Sequence, residues 1–434
     1  MQMSAADNRS TATVSTEKIA IKKLVLLIIL FTVLIAGRAL SNSFFYVFAA
    51  VSLFVFVISK VSYCIPLLFY LLPFASILKQ DLNSISIFTL LFFISVLKMV
   101  IKKKRFDVDF LIILAAFSVY CLGFSGLGQL TTIITMAAGM LMLYCLRDID
   151  TDSNAVVVSY SVGICLASIL AECRSFLPII GAFVQDSTLK LGQNELASRF
   201  SGLQGNPNYF TLDIIIALAS IIVLMHLQKS SLTKITCFAL LSVFGLMSVS
   251  KSFVLTFGLL IFLWFIVSMK QGASTLIKFV FIIGITSIVI YYFAYDYVNA
   301  YLLRFINDRS GDLDSITTGR TGIWKAYIDE ILHNTRILFF GNGLNSIANI
   351  GKGTHNTYLE TLYSLGIIGS ILYLATVKIS MGKIITKRIV WIPVLMLLVR
   401  MFAIGILTYD NLFFYLAIIL LIAKSSKTAV KNIA

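Results

Sequence analysis

Charge is scarce in this chain: Asp, Glu, Lys and Arg together make 13% of its 434 residues, where a soluble globular protein carries roughly twice that share. With 59% hydrophobic residues set against so little ionic surface, most soluble enzyme classes are excluded. Proline is scarce too, at five residues, and beside 25 glycines this leaves no collagen-like or disordered composition. The six cysteines (Cys64, Cys121, Cys145, Cys165, Cys173, Cys237) fall in or beside apolar runs and form no C-x-x-C pair, so neither a disulfide framework nor a zinc site has support. There is no Walker motif, no H-E-x-x-H and, in the two long polar stretches at about 179 to 209 and 298 to 354, no D-x-D pair beyond Asp312-Leu313-Asp314, which speaks against ATP-driven transport. No internal repeat is visible.

What the chain has in plenty is long apolar runs. They lie at about 24 to 40, 44 to 59, 62 to 78, 85 to 101, 109 to 124, 130 to 146 and 155 to 178, then at about 210 to 227, 235 to 249, 252 to 269, 275 to 297, 355 to 378, 389 to 408 and 411 to 424. The expected fold is an all-α polytopic membrane protein of about 14 transmembrane helices, and an even number puts both termini on one side. The expected order is a cytoplasmic tail over 1–23, ending in Lys22 and Lys23 with no cleavage site after it, then spans over 24–178. A first external loop follows over 179–209, spans over 210–297, a second external loop over 298–354, spans over 355–424 and a cytoplasmic tail over 425–434.

The net charge of +15 needs no nucleic acid to explain it. A cytoplasmic N-terminus places roughly two-thirds of the lysines and arginines inside, among them Lys102 to Arg105, Lys229, Lys234, the Lys378 to Arg388 segment and Lys424, Lys427 and Lys431. The short joints at 41–43 and 249–252 are where this count is most sensitive, since merging two runs there would invert everything beyond.

Against that bias, the two outer loops collect arginine: Arg199, then Arg304, Arg309, Arg320 and Arg336, with Lys190, Lys325 and Lys352 beside them. Guanidinium forks suit phosphate and pyrophosphate oxygens; for any single one, solvated loop charge or contact with lipid headgroups is the alternative. Within the second loop Ile323, Trp324, Tyr327, Ile328, Ile331 and Leu332 recur at helical spacing, which predicts an amphipathic helix on the outer interface. Of the three histidines, His226 and His333 read as ordinary surface groups. His355 stands where loop becomes helix, with Thr357 and Glu360 at capping-box spacing, and the positive end of that helix would favour a neutral imidazole and attract anions. Arg400 falls inside an apolar run and by default needs a cavity or a partner, such as a pyrophosphate or Asp410; Asp213 would pair with a loop arginine.

Three segments carry a resemblance. His355-Asn356, nine residues, then Gly366-Ile367-Ile368-Gly369 resembles the His-Asn and Gly-x-x-Gly signature of the O-antigen ligase and Wzy-type polymerase superfamily. The stretch from Ser201 to Phe210, with Asn206-Pro207-Asn208, resembles that family's segment at the end of the first large periplasmic loop. Gly319-Arg320-Thr321-Gly322-Ile323-Trp324, followed by Phe340-Gly341-Asn342-Gly343-Leu344, resembles the stretch leading to its histidine. Together they span about residues 195 to 375, and their order is more specific than any one motif.

The resemblance implies a metal-independent, inverting glycosyltransferase of the membrane-embedded C type, free of cofactors, using undecaprenyl pyrophosphate-linked sugars on the extracytoplasmic face of a bacterial plasma membrane. His355 would be the base for the attacking sugar hydroxyl, and Arg199, Arg320, Arg400 and Lys251 would hold the leaving pyrophosphate, Lys251 standing in a Ser-Lys-Ser turn where that family carries a basic residue after a serine. Asn356 and Tyr358 would bind sugar or orient the imidazole; Asn206 and Asn208 would position loop or substrate, with a simple turn at Pro207 the equal alternative. Gly366 and Gly369 suit helix packing. Within the family a polymerase, passing the growing glycan to a new lipid-linked repeat unit, is favoured over a ligase, passing it to lipid A-core. The expected partners are the lipid-linked oligosaccharide and membrane lipids, with a chain-length regulator and a flippase as further candidates and no nucleic acid. A polysaccharide flippase is the reading from another class, opposed by spans nearly free of charge.

Overall fold

The computed structural model describes residues 4–81, 84–103, 105–184, 187–190, 196–228, 230–307, 319–382 and 388–431. A bilayer offers no water to satisfy peptide groups, so apolar runs must close their hydrogen bonds internally. Each run identified above contains a helix. In chain order these are α1 (Ser4–Leu40), α2 (Phe44–Ile58), α3 (Val61–Leu71), α4 (Ile87–Lys103), α5 (Val108–Ser125), α6 (Leu130–Leu146) and α7 (Ser153–Glu172). After the short α8 (Pro178–Phe183) come α9 (Pro207–Leu227), α10 (Leu232–Met247), α11 (Lys251–Gln271) and α12 (Ala273–Asn307). Two loop helices, α13 (Arg320–His333) and α14 (Thr335–Phe340), precede α15 (Thr357–Met381), α16 (Trp391–Met401) and α17 (Asn411–Lys431). Among the described residues 8 helices are long and apolar enough to cross a membrane, while α2, α3, α10, α16 and α17 supply shorter apolar stretches. The breaks near residues 41–43 and 249–252 are both present.

The bundle is organised around α9. Apolar on every side, its span is 83% buried, against 17% for the span on α12, so the first is the hub and the second a peripheral helix. It packs on α7, α10, α11, α16 and α17. Its one carboxylate, Asp213, is buried among neutral donors: the hydroxyls of Tyr160 at 2.8 Å and Tyr415 at 2.6 Å, and the side-chain amides of Gln204 at 2.7 Å and Asn411 at 3.3 Å. The expected loop-arginine partner is therefore replaced by four uncharged donors from α7, α17 and the segment before α9.

Three features depart from the sequence reading. The membrane fold is all-α as expected, but the first loop adds a strand pair, in which β1 (Ser187–Lys190) pairs antiparallel with β2 (Leu196–Arg199), Ser187 opposite Arg199. The helix of the run 275 to 297 extends to Asn307, ten residues beyond the predicted end of that run. The run 389 to 408 is not one span, because α16 stops at Met401 and the chain turns through 402–410. The reason is tertiary: Thr357 donates to the Ile404 carbonyl (2.6 Å) and accepts from the Ile406 amide (3.2 Å), and Glu360 accepts from the Leu407 amide (3.2 Å). Groups on the first turn of α15 thus take backbone that a continuing helix would have used.

α15 itself is broken at Gly366, whose φ of 63° is left-handed. Such a break frees carbonyls, and each finds an acceptable donor nearby. The amides of Asn342 and Gly343 bond to the carbonyls of Tyr363 (2.8 Å) and Ser364 (3.0 Å), and the Tyr120 hydroxyl donates to that of Leu365 (2.8 Å). The segment 341–343 lies directly against the break, so a Cβ on Gly366 would fall 2.5 Å from its backbone. Gly366→Ala is expected to cost roughly 1–3 kcal/mol through strain and overlap, read as a lowered unfolding midpoint in detergent; Gly258→Ala, at a position open to its surroundings, should leave the midpoint in place.

Candidate functional site

Arg400 occupies the last turn of α16 and is fully buried, not mid-span as the hydropathy suggested. Its guanidinium donates to the Asn208 carbonyl (2.7 Å), to Thr211 Oγ1 (2.8 Å) and to Ser252 Oγ. No carboxylate among the described residues lies within ion-pair distance of it, so the expected pairing with Asp410 is absent. A buried guanidinium held only by neutral acceptors keeps its full charge, and its acceptors belong to the first turns of α9 and α11.

Those first turns are joined to each other. Asn206 caps α9 by accepting from the Asn208 amide (2.9 Å), and Asn208 in turn accepts from Ser250 Oγ (3.0 Å), which shares a hydrogen bond with Ser252 Oγ (3.1 Å). Asn206 and Asn208 therefore set the loop and the helix start. Lys251, half-buried, is the first residue of α11 in this turn. Arg199, at the end of β2, reaches the same turn, its Nε donating to the Ser248 carbonyl (3.2 Å). The next residue of the turn, Val249, has a left-handed φ of 46°, an uncommon conformation for a β-branched side chain.

From the second loop, α13 brings Arg320 and the segment ahead of α15 brings His355. Trp324 Nε1 donates to the Thr354 carbonyl (3.0 Å), and Tyr327 holds both the Lys352 carbonyl (2.9 Å) and the Ala348 amide (3.1 Å). Thr354 Oγ1 bonds to both backbone groups of Asn356 (3.0 and 3.2 Å), bridging across His355 and fixing it at a φ of 49°. The imidazole is exposed and makes no hydrogen bond with the described residues; its position comes from the backbone on either side. Desolvation and, after it, the charge of Arg320 hold its pKa below the ordinary value, so it is a neutral base at lower pH than a free imidazole. Arg320 also lies within electrostatic reach of Arg400, which joins a second-loop cation and the buried cation of α16 in one field.

Other predicted roles shift. The cap of α15 is Asn356, one residue before the predicted Thr357, with its Oδ1 accepting from the amides of Tyr358 (3.0 Å) and Leu359 (3.2 Å). That oxygen is spent on the helix, and the Tyr358 hydroxyl is spent on the Leu398 carbonyl (2.9 Å), so neither orients the imidazole. The amphipathic helix forms as expected, yet Tyr327 and Ile331 bury themselves against Ile337, Ala348 and Tyr363 of the protein, leaving Ile328 and Leu332 outward. Arg309 and Asp312-Leu313-Asp314 lie outside the described residues, as do the side chains of Arg304 and Lys190. Thr354, Ser250, Ser252 and Thr211 were not singled out from sequence. The serines flanking Lys251 were the available signal.

Residues 236–374 match the O-antigen ligase family model, a domain shared by O-antigen ligases and Wzy-type polymerases. The match contains Lys251, Arg320, His355 and Asn356 but not Arg199, Asn208 or Arg400. Family members are glycosyltransferase-type enzymes of polysaccharide synthesis acting on lipid-linked glycans, and this chain is a multi-pass membrane protein. No curated protein and no solved structure matches the chain.

An NMR titration of His355 in detergent micelles should give a midpoint below about 6.5. Arg320→Ala should raise that midpoint by removing the neighbouring charge; an unchanged midpoint would detach Arg320 from the imidazole.

Proposed function

With an O-antigen ligase domain over residues 236–374 as premise, we propose that the chain is a Wzy-type polymerase of a bacterial plasma membrane. It moves a growing glycan from undecaprenyl pyrophosphate onto a new lipid-linked repeat unit, on the extracytoplasmic side. The observation that carries the reading is the meeting of a neutral imidazole with cations of the second loop and of α16: His355 under the charge of Arg320, and Arg320 within electrostatic reach of Arg400.

Displacing a lipid pyrophosphate from an anomeric carbon builds negative charge on the leaving oxygen and acidity on the attacking hydroxyl. Arg320 and Arg400 stabilise the first, with Lys251 and Arg199 bordering the same turn. His355 takes the proton of the second, as the hydroxyl oxygen attacks the face of the sugar opposite the departing pyrophosphate, inverting the anomeric centre. The starts of α9, α11 and α15 add the positive ends of their dipoles. These fixed cations do the work for which other glycosyl transfers use a divalent ion.

Protein in nanodiscs, given a lipid pyrophosphate-linked repeat unit and no metal, is expected to lengthen the glycan. His355→Ala should lower the rate by about 10²–10⁴-fold and Arg320→Ala by about 10²–10³-fold, with folding intact by size exclusion. Because the His355 pKa is lowered, the base is active above it and fails only as pH falls through it, so the acid limb of kcat/KM should lie below about 6.5. In cells, deletion should leave surface glycan one repeat long; full-length chains stalled on the lipid carrier would make the chain a ligase instead.

A further inference from the structure

The cationic centre does not account for the cleft of about 690 Å³ between α4, α6 and the segment that joins α16 to α17. None of Arg199, Lys251, Arg320, His355 or Arg400 lines it. It is nonetheless coupled to their surroundings. Tyr409 on its wall packs against Tyr209 with ring centroids 4.6 Å apart, and the Tyr209 hydroxyl donates to the Gly405 carbonyl (2.7 Å) in the segment braced by Thr357 and Glu360.

The lining has a chemistry of its own. Asp410 opens into the cleft, and its carboxylate accepts no hydrogen bond from the described residues. Partial desolvation by the cleft walls raises its pKa. The hydroxyls of Thr89 and Thr131 line the same space without hydrogen-bond partners among the described residues. Among the described residues Lys79 is the one cation on the wall, which balances Asp410 and offers a pyrophosphate no clamp of several cations. A carboxylate, free hydroxyls and the face of a tyrosine suit a neutral ligand dense in hydroxyl groups, and the volume suits a short oligosaccharide. Toward the bilayer the rim is apolar: Ile85, Leu90 and Ile134 are 70%, 43% and 46% exposed. Such a rim lets an amphiphile keep its hydrocarbon in lipid while its polar head enters sideways.

We propose that this cleft is a saccharide-binding site, separate from the reaction centre, in which Asp410, Thr89 and Thr131 hold sugar hydroxyls of a glycan whose lipid carrier lies beside Ile85, Leu90 and Ile134. The assignment of that glycan to a transfer reaction rests on the polymerase reading above. The same hydroxyl chemistry is offered by the incoming repeat unit and by the growing chain.

The probe is the oligosaccharide released by mild acid from the host's own polyprenyl-linked glycan, binding to full-length protein in nanodiscs by saturation-transfer NMR. Wild type and His355→Ala are expected to bind it equally. Asp410→Ala and Thr89→Val should each weaken binding by about tenfold, the loss expected for one hydrogen bond involving a charged or buried partner. Neither variant removes a hydrogen bond from the folded chain, so folding provides no escape. In the transfer assay a raised KM for the repeat unit alone identifies the acceptor as occupant, and a raised KM for the polymer alone identifies the donor chain. Oligosaccharide binding that is absent from wild type, or unchanged in both variants, overturns the proposal. Absence of transfer with binding intact overturns the polymerase reading and leaves the saccharide site standing.

Discussion

The arrangement depends on one buried charge. Arg400 sits at full burial with three neutral acceptors, drawn from the starts of α9 and α11, and no carboxylate among the described residues. A charged side chain within a membrane-spanning bundle is costly unless its surroundings are built for it. Here the building consists of helix starts: Asn208 lends its carbonyl to Arg400 and its side chain to Ser250, so one residue aligns two helices around the guanidinium. Neutral acceptors solvate the cation without cancelling it. A positive potential is left at the point where the starts of several helices meet.

Around this charge the family signature divides into architecture and chemistry. Gly366 breaks α15, Gly369 packs against the ring of Tyr120, and the Gly341-Asn342-Gly343 stretch lies against the break and satisfies its carbonyls. Trp324 and Thr354 clamp the backbone on either side of His355, whose left-handed φ puts an uncommon conformation at the one imidazole of the site. Strain of that kind persists only when neighbouring contacts over-determine it, and here two side chains do so. The histidine carries the one imidazole of the site, and most of the residues around it in sequence serve to keep it in place.

A comparable division applies to the polar residues near the membrane ends. Asp213 and Arg400 are both buried charges on interior helices, and both are met by neutral groups rather than by each other. Hydropathy alone cannot distinguish such a residue from one that lines a cavity, because the distinction lies in what adjacent helices present. Asp410 shows the converse. It looked like a partner for Arg400 ten residues away, yet the turn through 402–410 directs it into a different cleft with Lys79 and three threonines of α6.

The sequence by itself determined the class of protein, the positions of its apolar helices and the amphipathic helix at Arg320–His333, since each follows from periodicity and from the need of peptide groups in lipid to bond locally. It also singled out His355 and Arg320, because local motifs carry them. Only the tertiary structure decided that the run containing Arg400 stops at Met401, that Asn356 and Tyr358 brace helices, and that Asp213 is met by tyrosines. Those outcomes rest on hydrogen bonds between segments up to about two hundred residues apart, such as Arg400 to Asn208 and Tyr209 to Gly405. Chain-local patterns hold no record of which distant carbonyl or hydroxyl will stand within 3 Å, and packing alone supplies it.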